Sequence, residues 1–297
     1  MKTLIPHLTA LITVAIWGGT FVSTKLLLMA GLTAAQIFVL RFIIAYILLM
    51  AMSLMGSGNR QWFCRTWRDE LLMAALGITG GSLYFMAENT ALNYTTTTNT
   101  SLIVCSCPLA AAILIGMVYR SQRMNRQQLT GALMAVAGVA AVILNGHFVL
   151  HLSPLGDALA LVACLCWAAY SLLMIPANRN YSALFITRKV FFYGLLTILP
   201  YFIVHPTMPT MPLLLRPDVA ANLLFLSCVA SLGCYLAWTW VMDRLGAVVA
   251  TNYVYLNPLF TIVFAWLILS ERITPWFIVG TALIVTGMYL ADRKKKE

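Results

Sequence analysis

Two ionisable side chains, Arg41 and Glu88, lie inside stretches of apolar sequence. A charge at the centre of a membrane-spanning helix costs about 2.5–3.5 kcal/mol on insertion scales, so such residues are paired or functional as a rule. Two interpretations of them stay open. They form a structural salt bridge at a common depth, or Glu88 binds a proton or a substrate ammonium while Arg41 tunes it or anchors a carboxylate.

Proline occupies the centre of two apolar stretches that lie 150 positions apart, at Pro108 and Pro258. Proline has no backbone N–H, so each leaves a carbonyl without its usual helical partner, at Val104 and Val254. Such a carbonyl in a membrane must meet protein or a water-filled cavity. We therefore predict a hinge at each proline, with a static kink as the alternative.

Polar and aromatic residues recur at helical spacing in these stretches, which places them on single helix faces. Such faces gain nothing from contact with lipid, so we expect them to line a shared interior cavity. Ordinary helix packing through small and hydroxyl residues is the alternative. The predicted cavity residues, besides Glu88, are Trp17, Thr20, Tyr84, Asn99, Ser101, Trp167, Tyr170, Trp238, Thr251, Asn252 and Tyr255.

Membrane-spanning helices are needed to position these residues, and the composition agrees. Of the 297 residues, 61% are hydrophobic and 9% are charged, and the mean hydropathy is +0.87. A soluble domain carries about 25% charged residues, and a transmembrane helix needs about 20 mostly apolar residues. We predict an all-α polytopic membrane protein with ten spans, numbered 1 to 10 along the chain, at 7–29, 34–54, 71–92, 97–119, 127–145, 156–177, 184–204, 219–241, 248–269 and 274–291.

The basic residues are distributed unevenly around these spans. With the N-terminus in the cytoplasm, thirteen of the nineteen Lys and Arg residues lie in cytoplasmic segments, and external loops hold only Arg216 and Arg272. The other four, in or at the ends of helices, are Lys25, Arg41, Arg188 and Lys189. This positive-inside asymmetry predicts that both termini are cytoplasmic. It also accounts for the net charge of +10 without a nucleic-acid partner.

Tryptophan, glycine and proline residues of the first half of the chain recur in the second half at a nearly constant offset. Trp17 pairs with Trp167 at 150 positions, and Gly131 and Gly138 pair with Gly280 and Gly287 at 149. We therefore predict two five-helix repeats, residues 1–148 and 149–297. Because five is odd, the second repeat enters the membrane inverted, as in many secondary transporters that hold a substrate between their halves.

Other kinds of site find little support in the sequence. The pairs Cys105/Cys107 and Cys164/Cys166 point about 200° apart on a helix, so packing residues are expected rather than metal ligands. The chain has no HExxH, GxSxG or P-loop pattern, and no cofactor is expected. An intramembrane enzyme or a membrane scaffold stays as the alternative, although two buried charges and short loops offer little for either.

Four segments of the chain show a family pattern: AIWGGTFV at 15–22, ALNYTTTTNTSLIVCSCPL at 91–109, RLGAVVATNYVYLNPLFTIVFAWLILSERIT at 244–274 and GTALIVTGMYL at 280–290. Together they resemble the drug/metabolite transporter superfamily in its EamA-type, ten-helix branch. One position departs from the family pattern. Glu271 of the second repeat has Gln122 as its counterpart in the first, so a role that needs this charge is confined to the second repeat.

The resemblance implies an alternating-access carrier that is not an enzyme. Spans 1, 3, 4, 6, 8 and 9 would line the cavity, and spans 5 and 10 would pack together. Exported amino acids, other small metabolites or drug-like molecules are the implied substrates, in a bacterial inner membrane. The expected partners are the substrate and the lipid bilayer, with proton coupling through Glu88 as a hypothesis and with a monomer and a homodimer both open.

Overall fold

The computed structural model describes residues 4–55, 61–94, 103–144, 153–269 and 275–292. Within these ranges the chain is helical and has no strand, which confirms the predicted all-α class. The helices are α1 (Leu4–Met29), α2 (Ala34–Met55), α3 (Trp67–Gly77), α4 (Leu83–Tyr94), α5 (Cys107–Val118), α6 (Arg126–Leu144), α7 (Pro154–Asn180), α8 (Ala183–Val204), α9 (Met211–Leu214), α10 (Pro217–Leu224), α11 (Cys234–Leu245), α12 (Ala247–Asn252), α13 (Asn257–Leu269) and α14 (Pro275–Asp292).

Seven helical stretches of the described residues are long and apolar enough to cross a membrane. They are Leu4–Met29, Ala34–Met55, Trp67–Glu88, Pro154–Asn180, Ala183–Val204, Pro217–Leu245 and Ala247–Phe264. Two shorter apolar helices, Cys107–Val118 and Pro275–Ala291, coincide with spans 4 and 10, and α6 coincides with span 5. The helices therefore lie on the predicted windows, while ten as the number of membrane crossings stays a prediction.

Polar caps and first-turn prolines set where several helices begin. Ser153 and Ser182 accept hydrogen bonds from backbone N–H groups at the starts of α7 and α8, and Thr66 does so at the start of α3. These side chains satisfy donors that a helix N-terminus leaves without partners. At the other end, Gly246 has a φ of +81° between α11 and α12, a conformation that favours glycine.

Two long helices are interrupted by π-helical turns at related positions. Ile78–Ser82 separates α3 from α4, and within it Gly81 leaves the helical region with φ −132° and ψ −105°. Phe225–Gly233 separates α10 from α11. Single π-helical turns are uncommon and occur frequently at functional sites. Gly80 and Ala230, which lie 150 positions apart, are inside these two turns.

Each predicted hinge proline is the second residue of a new helical segment. Pro108 begins α5 after a short turn, and Pro258 begins α13 after the 3₁₀ turn Tyr253–Leu256. In the second case the carbonyl of Val254, which proline deprives of its usual partner, accepts a hydrogen bond from the Asn257 N–H. The two helices thus change segment where kinks are predicted, and hinge motion stays a prediction.

The helices α6 and α14 meet through four glycines. A Cβ atom on Gly131 would lie 2.6 Å from the carbonyl oxygen of Gly287, and one on Gly138 would lie 2.7 Å from that of Gly280. No side chain fits at these separations, so the two helices pack backbone to backbone. This contact is the packing role expected of spans 5 and 10.

Candidate functional site

Five of the predicted cavity residues form one cluster of rings. The ring centroid of Trp17 lies 5.6 Å from that of Trp167 and 5.0 Å from that of Trp238. Trp167 lies 5.5 Å from Tyr84 and 5.3 Å from Tyr170. These separations are typical of packed aromatic pairs. We refer to these five residues as the aromatic centre, which brings together the middle of α1 and of α7, the start of α4 and the first half of α11.

The aromatic centre is closed in this structure. Trp238, Tyr170 and Trp167 are only 0%, 1% and 7% exposed, because their rings fill the space between the helices. The predicted cavity residues therefore meet as a packed cluster, and a ligand would have to separate the rings. A cavity of about 200 Å³ lies to one side of Trp17, between α1 and the second π-helical turn, lined by Thr9, Ile12, Thr13, Ile16, Val229, Gly233, Cys234 and Ala237.

A carbonyl of each π-helical turn accepts a hydrogen bond from a ring that is distant in sequence. The indole N–H of Trp17 donates to the carbonyl of Ala230 at 3.2 Å. The hydroxyl of Tyr235 donates to the carbonyl of Gly80 at 2.9 Å. Gly80 is tightly enclosed, because the ring of Tyr170 lies 2.3 Å from where its Cβ atom would be. The two interrupted helices are thus each tied to a residue more than 150 positions away.

Two indole N–H groups of the aromatic centre have no hydrogen-bond partner among the described residues. They belong to Trp167 and Trp238, and the other buried side-chain atoms of this kind in the described ranges are the Tyr255 hydroxyl and the Asn257 Oδ1. Leaving a buried donor unsatisfied costs about 1–3 kcal/mol. The centre therefore presents two donors that can gain energy by binding an acceptor.

Arg41 and Glu88 are both buried beside the aromatic centre, but each is bonded to a different partner. Arg41 donates to the Ser231 hydroxyl at 2.8 Å and lies 5.0 Å above the ring of Phe85. Glu88 accepts a hydrogen bond from the Tyr84 hydroxyl at 3.1 Å. No salt bridge between the two charges occurs in the described part of the chain, so the direct ion pair expected from their depth is not formed there.

The predicted threonines use their hydroxyls within their own helices. Thr20 donates to the carbonyl of Trp17 at 2.7 Å. Thr251 donates to the carbonyl of Ala247 at 2.6 Å and lies 3.3 Å from the Ser171 hydroxyl. Such bonds to a preceding carbonyl are a common arrangement for threonine in a helix. These two hydroxyls therefore have partners before any ligand binds.

The other predicted residues lie apart from the aromatic centre or outside the described ranges. Tyr255 is fully buried in a separate apolar cluster against α6 and α14. Asn252 is buried at the end of α12. Asn99 and Ser101 lie outside the described residues. The structure therefore gives Tyr255 a packing position, whereas the sequence predicted a place for it in the cavity.

A second polar site lies at one end of the helix bundle. Lys189 forms a salt bridge with Glu70, and the Tyr193 hydroxyl donates to the same carboxylate at 2.6 Å. The Tyr181 hydroxyl donates to Asp69 at 2.8 Å. We refer to Asp69, Glu70, Tyr181, Lys189 and Tyr193 as the charged cluster. It ties the start of α3 to the start of α8.

The loop before α3 covers this cluster. The backbone N–H of Cys64 donates to Glu70 at 3.1 Å, and the guanidinium of Arg188 lies 4.5 Å above the ring of Trp62. Burial, followed by the hydrogen bond to Glu70, raises the pKa of the Cys64 thiol to about 12. Burial also raises the pKa of Tyr181 to about 12. Both groups are therefore protonated at neutral pH.

Neither the charged cluster nor Tyr235 was predicted from the sequence. From the sequence, Arg188 and Lys189 are only residues in or at the ends of helices, yet in the structure they are just 6% and 7% exposed. An available signal was the acidic first turn of α3, where Glu70 needs a basic partner if it enters the membrane. Tyr235 gives no such signal, because its counterpart 150 positions earlier is an ordinary apolar residue, Phe85.

The chain is similar to known transporters along its whole length. The profile of the EamA-like transporter family matches residues 4–144 and again residues 154–291. An "Uncharacterized transporter" of Archaeoglobus fulgidus is 29% identical over 296 residues, which cover 98% of each chain. A "Probable terminal-alkyne amino-acid exporter" of Streptantibioticus cattleyicolor is 25% identical and covers 76% of this chain and 74% of its own. A "Probable amino-acid metabolite efflux pump" of Escherichia coli is 25% identical, with 74% and 75% covered.

A solved crystal structure has the same fold. It superposes with a TM-score of 0.76 at 18% identity and covers 97% of this chain and 96% of its own. The double match to one profile, the similar transporters and the apolar helices all agree with the resemblance found in the sequence. The chain therefore belongs to the EamA-like transporter family and is a multi-pass membrane transporter, with a role in transport and not in catalysis.

Proposed function

We propose that this transporter exports small metabolites, with amino acids as the leading class and drug-like amphipathic molecules as the wider range. Relatives named as an amino-acid exporter and as an amino-acid metabolite efflux pump support this choice. The observation that carries the proposal is the position of the aromatic centre and Glu88. The rings lie inside the long apolar helical stretches and away from their ends, which is consistent with the midplane site where secondary transporters hold their substrates.

The proposed mechanism is alternating access between two inverted five-helix repeats, residues 1–148 and 149–297. The two separate matches to one family profile support this division. The aromatic centre takes Trp17 and Tyr84 from the first repeat and its other three rings from the second. Its rings would hold the apolar part of a substrate, and Glu88 would hold an ammonium group.

The charged cluster is the proposed cytoplasmic gate. The positive-inside asymmetry, with both termini in the cytoplasm of a bacterium, would put this end of the bundle on the cytoplasmic side. Opening towards the cytoplasm would then separate Glu70 from Lys189, which belong to different repeats. Rotation of the helical segments at Pro108 and Pro258 would provide the movement. Each proline already stands at a change of segment, which supports a hinge there.

The proposal is tested by the metabolites that cells release. Cells that overproduce the wild type would be compared with cells that produce Trp17→Ala at equal membrane abundance. Trp67→Ala is the matched control, because Trp67 is 75% exposed. We expect a few related compounds to accumulate outside with the wild type and the control but not with Trp17→Ala. If cells with each of the three proteins release the same metabolites, amino acids included, export through the aromatic centre is contradicted.

Coupling to protons through Glu88 is part of the same proposal. The titratable groups that interact with this carboxylate are Arg41, Tyr84, Tyr235, Cys105 and Cys107. In proteoliposomes, an imposed pH gradient should drive wild-type transport and should fail to drive Glu88→Gln. If Glu88→Gln responds to the gradient like the wild type, Glu88 is not the coupling site and facilitated diffusion becomes the simpler mechanism.

A further inference from the structure

The two tryptophans that repeat at an offset of 150 differ in their hydrogen bonding. Trp17 donates to the carbonyl of Ala230 in the second π-helical turn. The equivalent acceptor for Trp167 would be the carbonyl of Gly80 in the first turn. That carbonyl accepts from the Tyr235 hydroxyl instead. The Trp167 N–H is left without a partner in the described part of the chain.

Symmetry is also broken at a second pair of positions, Glu88 and Trp238, which are again 150 apart. The first repeat has an acceptor there and the second has a donor. The Trp238 N–H is fully buried and has no partner within the described ranges. Its ring centroid lies 6.4 Å from that of Trp167. Two neighbouring rings thus both carry unsatisfied donors at the middle of the bundle.

Buried N–H groups in native proteins nearly always have an acceptor, so a pair of exceptions calls for a reason. Arg41, the nearby cation, has no acceptor to offer the indole N–H groups, and it is itself bonded to Ser231 and placed over the ring of Phe85. The nearby carboxylate of Glu88 accepts from Tyr84. An incoming oxyanion with two acceptor oxygens would satisfy two indole donors at once, and a charged acceptor makes each bond stronger.

We infer that the indole N–H groups of Trp167 and Trp238 bind the carboxylate of the transported substrate. This inference rests on the proposed function and narrows it to substrates that carry a carboxylate. Glu88, at the position symmetric to Trp238, would take the ammonium group of a zwitterion. Trp17 contributes its ring to the same centre, but its N–H is already bonded to the protein.

The test compares an acid with its amide in proteoliposomes of the purified full chain. Transport of leucine and phenylalanine, as kcat/KM, is divided by that of leucinamide and phenylalaninamide. Trp167→Phe and Trp238→Phe should each lower this ratio about tenfold, the effect of losing one hydrogen bond to a charged group. Trp17→Phe is the matched control and should slow the acid and the amide equally, leaving the ratio unchanged.

A second set of variants separates the loss of the N–H group from a loss of folding. Benzothienylalanine keeps the size of tryptophan but has no N–H, and placed at position 167 or 238 it should lower the acid-to-amide ratio in the same way. An unchanged ratio in these folded variants overturns the inference. So does a wild type that exports only molecules without a carboxylate, although the proposed export function then stands. If the wild type moves neither these probes nor any cellular metabolite, both proposals fail.

Discussion

The aromatic centre and the charged cluster both join distant parts of the chain, but they differ in how completely their polar groups are paired. In the charged cluster, the single carboxylate of Glu70 is contacted by Lys189, by the Tyr193 hydroxyl and by the Cys64 N–H. In the aromatic centre, two indole N–H groups have no partner among the described residues. The polar groups of the charged cluster are therefore paired, whereas the aromatic centre still has two donors that can bind an acceptor.

In the proposed mechanism, this difference would separate a contact that holds the protein in one arrangement from a site that exchanges bonding partners. Breaking the partly buried ion pair between Lys189 and Glu70 leaves a charge without its partner, which is costly. Packed rings can separate at lower electrostatic cost, because dispersion contacts can be replaced by contacts with a ligand. A transporter needs both kinds of contact, one to close the path and one to receive the substrate.

The largest effect on stability is expected from Lys189→Ala. The change leaves the Glu70 carboxylate, whose side chain is only 18% exposed, without its cation. We expect the free energy of unfolding to fall by about 3 kcal/mol, measured by thermal unfolding in nanodiscs. Asp218→Ala is the matched control, because Arg216 and Asp218 form an exposed pair. If both variants melt at the wild-type temperature, the charged cluster does not hold the bundle together.

A smaller loss is expected from Tyr235→Phe, which keeps the ring and removes the donor to the Gly80 carbonyl. A buried carbonyl without its donor costs about 1–3 kcal/mol. Tyr94→Phe serves as the control, since Tyr94 is exposed. The same unfolding measurement applies. Equal stability of the two variants would mean that the first π-helical turn does not depend on this hydrogen bond.

The two equivalent tryptophans should respond differently to loss of their N–H when no substrate is present. Benzothienylalanine at position 17 removes the bond to Ala230 and should cost about 1 kcal/mol. At position 167 it should leave the stability unchanged or slightly raised, because the Trp167 N–H has no bond to the described part of the chain that could be lost. The difference between the two melting temperatures is the decisive quantity. A larger loss at position 167 would show that its N–H is paired in the free protein.

The smallest expected effect is on the reactivity of the Cys64 thiol, and it does not involve a change in the fold. A variant that keeps Cys64 and replaces the other six of the seven cysteines would be treated with an alkylating agent and followed by mass spectrometry. Only the thiolate reacts, and a pKa of about 12 keeps the thiol protonated until the pH approaches that value. We expect alkylation at pH 8 to be about a hundredfold slower than for an exposed thiol, because the much lower thiolate fraction is partly offset by the greater nucleophilicity of a more basic thiolate.

The same reporter shows whether the charged cluster is closed. Glu70→Gln removes the charge whose proximity helps to keep the Cys64 thiol protonated, so alkylation should become faster. Alanine in place of Asp218 should leave the rate unchanged. Rapid reaction of Cys64 at pH 7 in the otherwise unchanged protein would contradict a closed, buried cluster.

Apolar length and periodicity were sufficient to predict the helices, the breaks at Pro108 and Pro258, and which aromatic residues face one another, although the sequence predicted a cavity where the structure has packed rings. These features depend on where residues lie along a helix and on which face. The predicted pairing of Arg41 with Glu88 relied on a common depth, which does not define how each helix is rotated about its axis. The structure turns Arg41 towards Ser231 and Glu88 towards Tyr84.

The charged cluster was missed for a related reason. Counting basic residues on either side of the membrane gives the orientation of a chain, and it treats Arg188 and Lys189 as markers of helix ends. Their burial depends on the loop before α3, whose path across α8 cannot be deduced from local sequence. The π-helical turns were also missed, because a one-residue change in helical period leaves no clear trace in an apolar stretch.

The glycine contact between α6 and α14 restricts how the two proposed repeats can move. The two backbones are too close for either helix to slide past the other without a clash. Parting them would open an empty seam lined by glycine, with no side chains to fill it. A movement that preserves the contact must turn about it, so displacement grows with distance from this line. In the proposed alternating-access mechanism the contact would therefore act as the axis of rotation, and the parts of the bundle farthest from it would travel most.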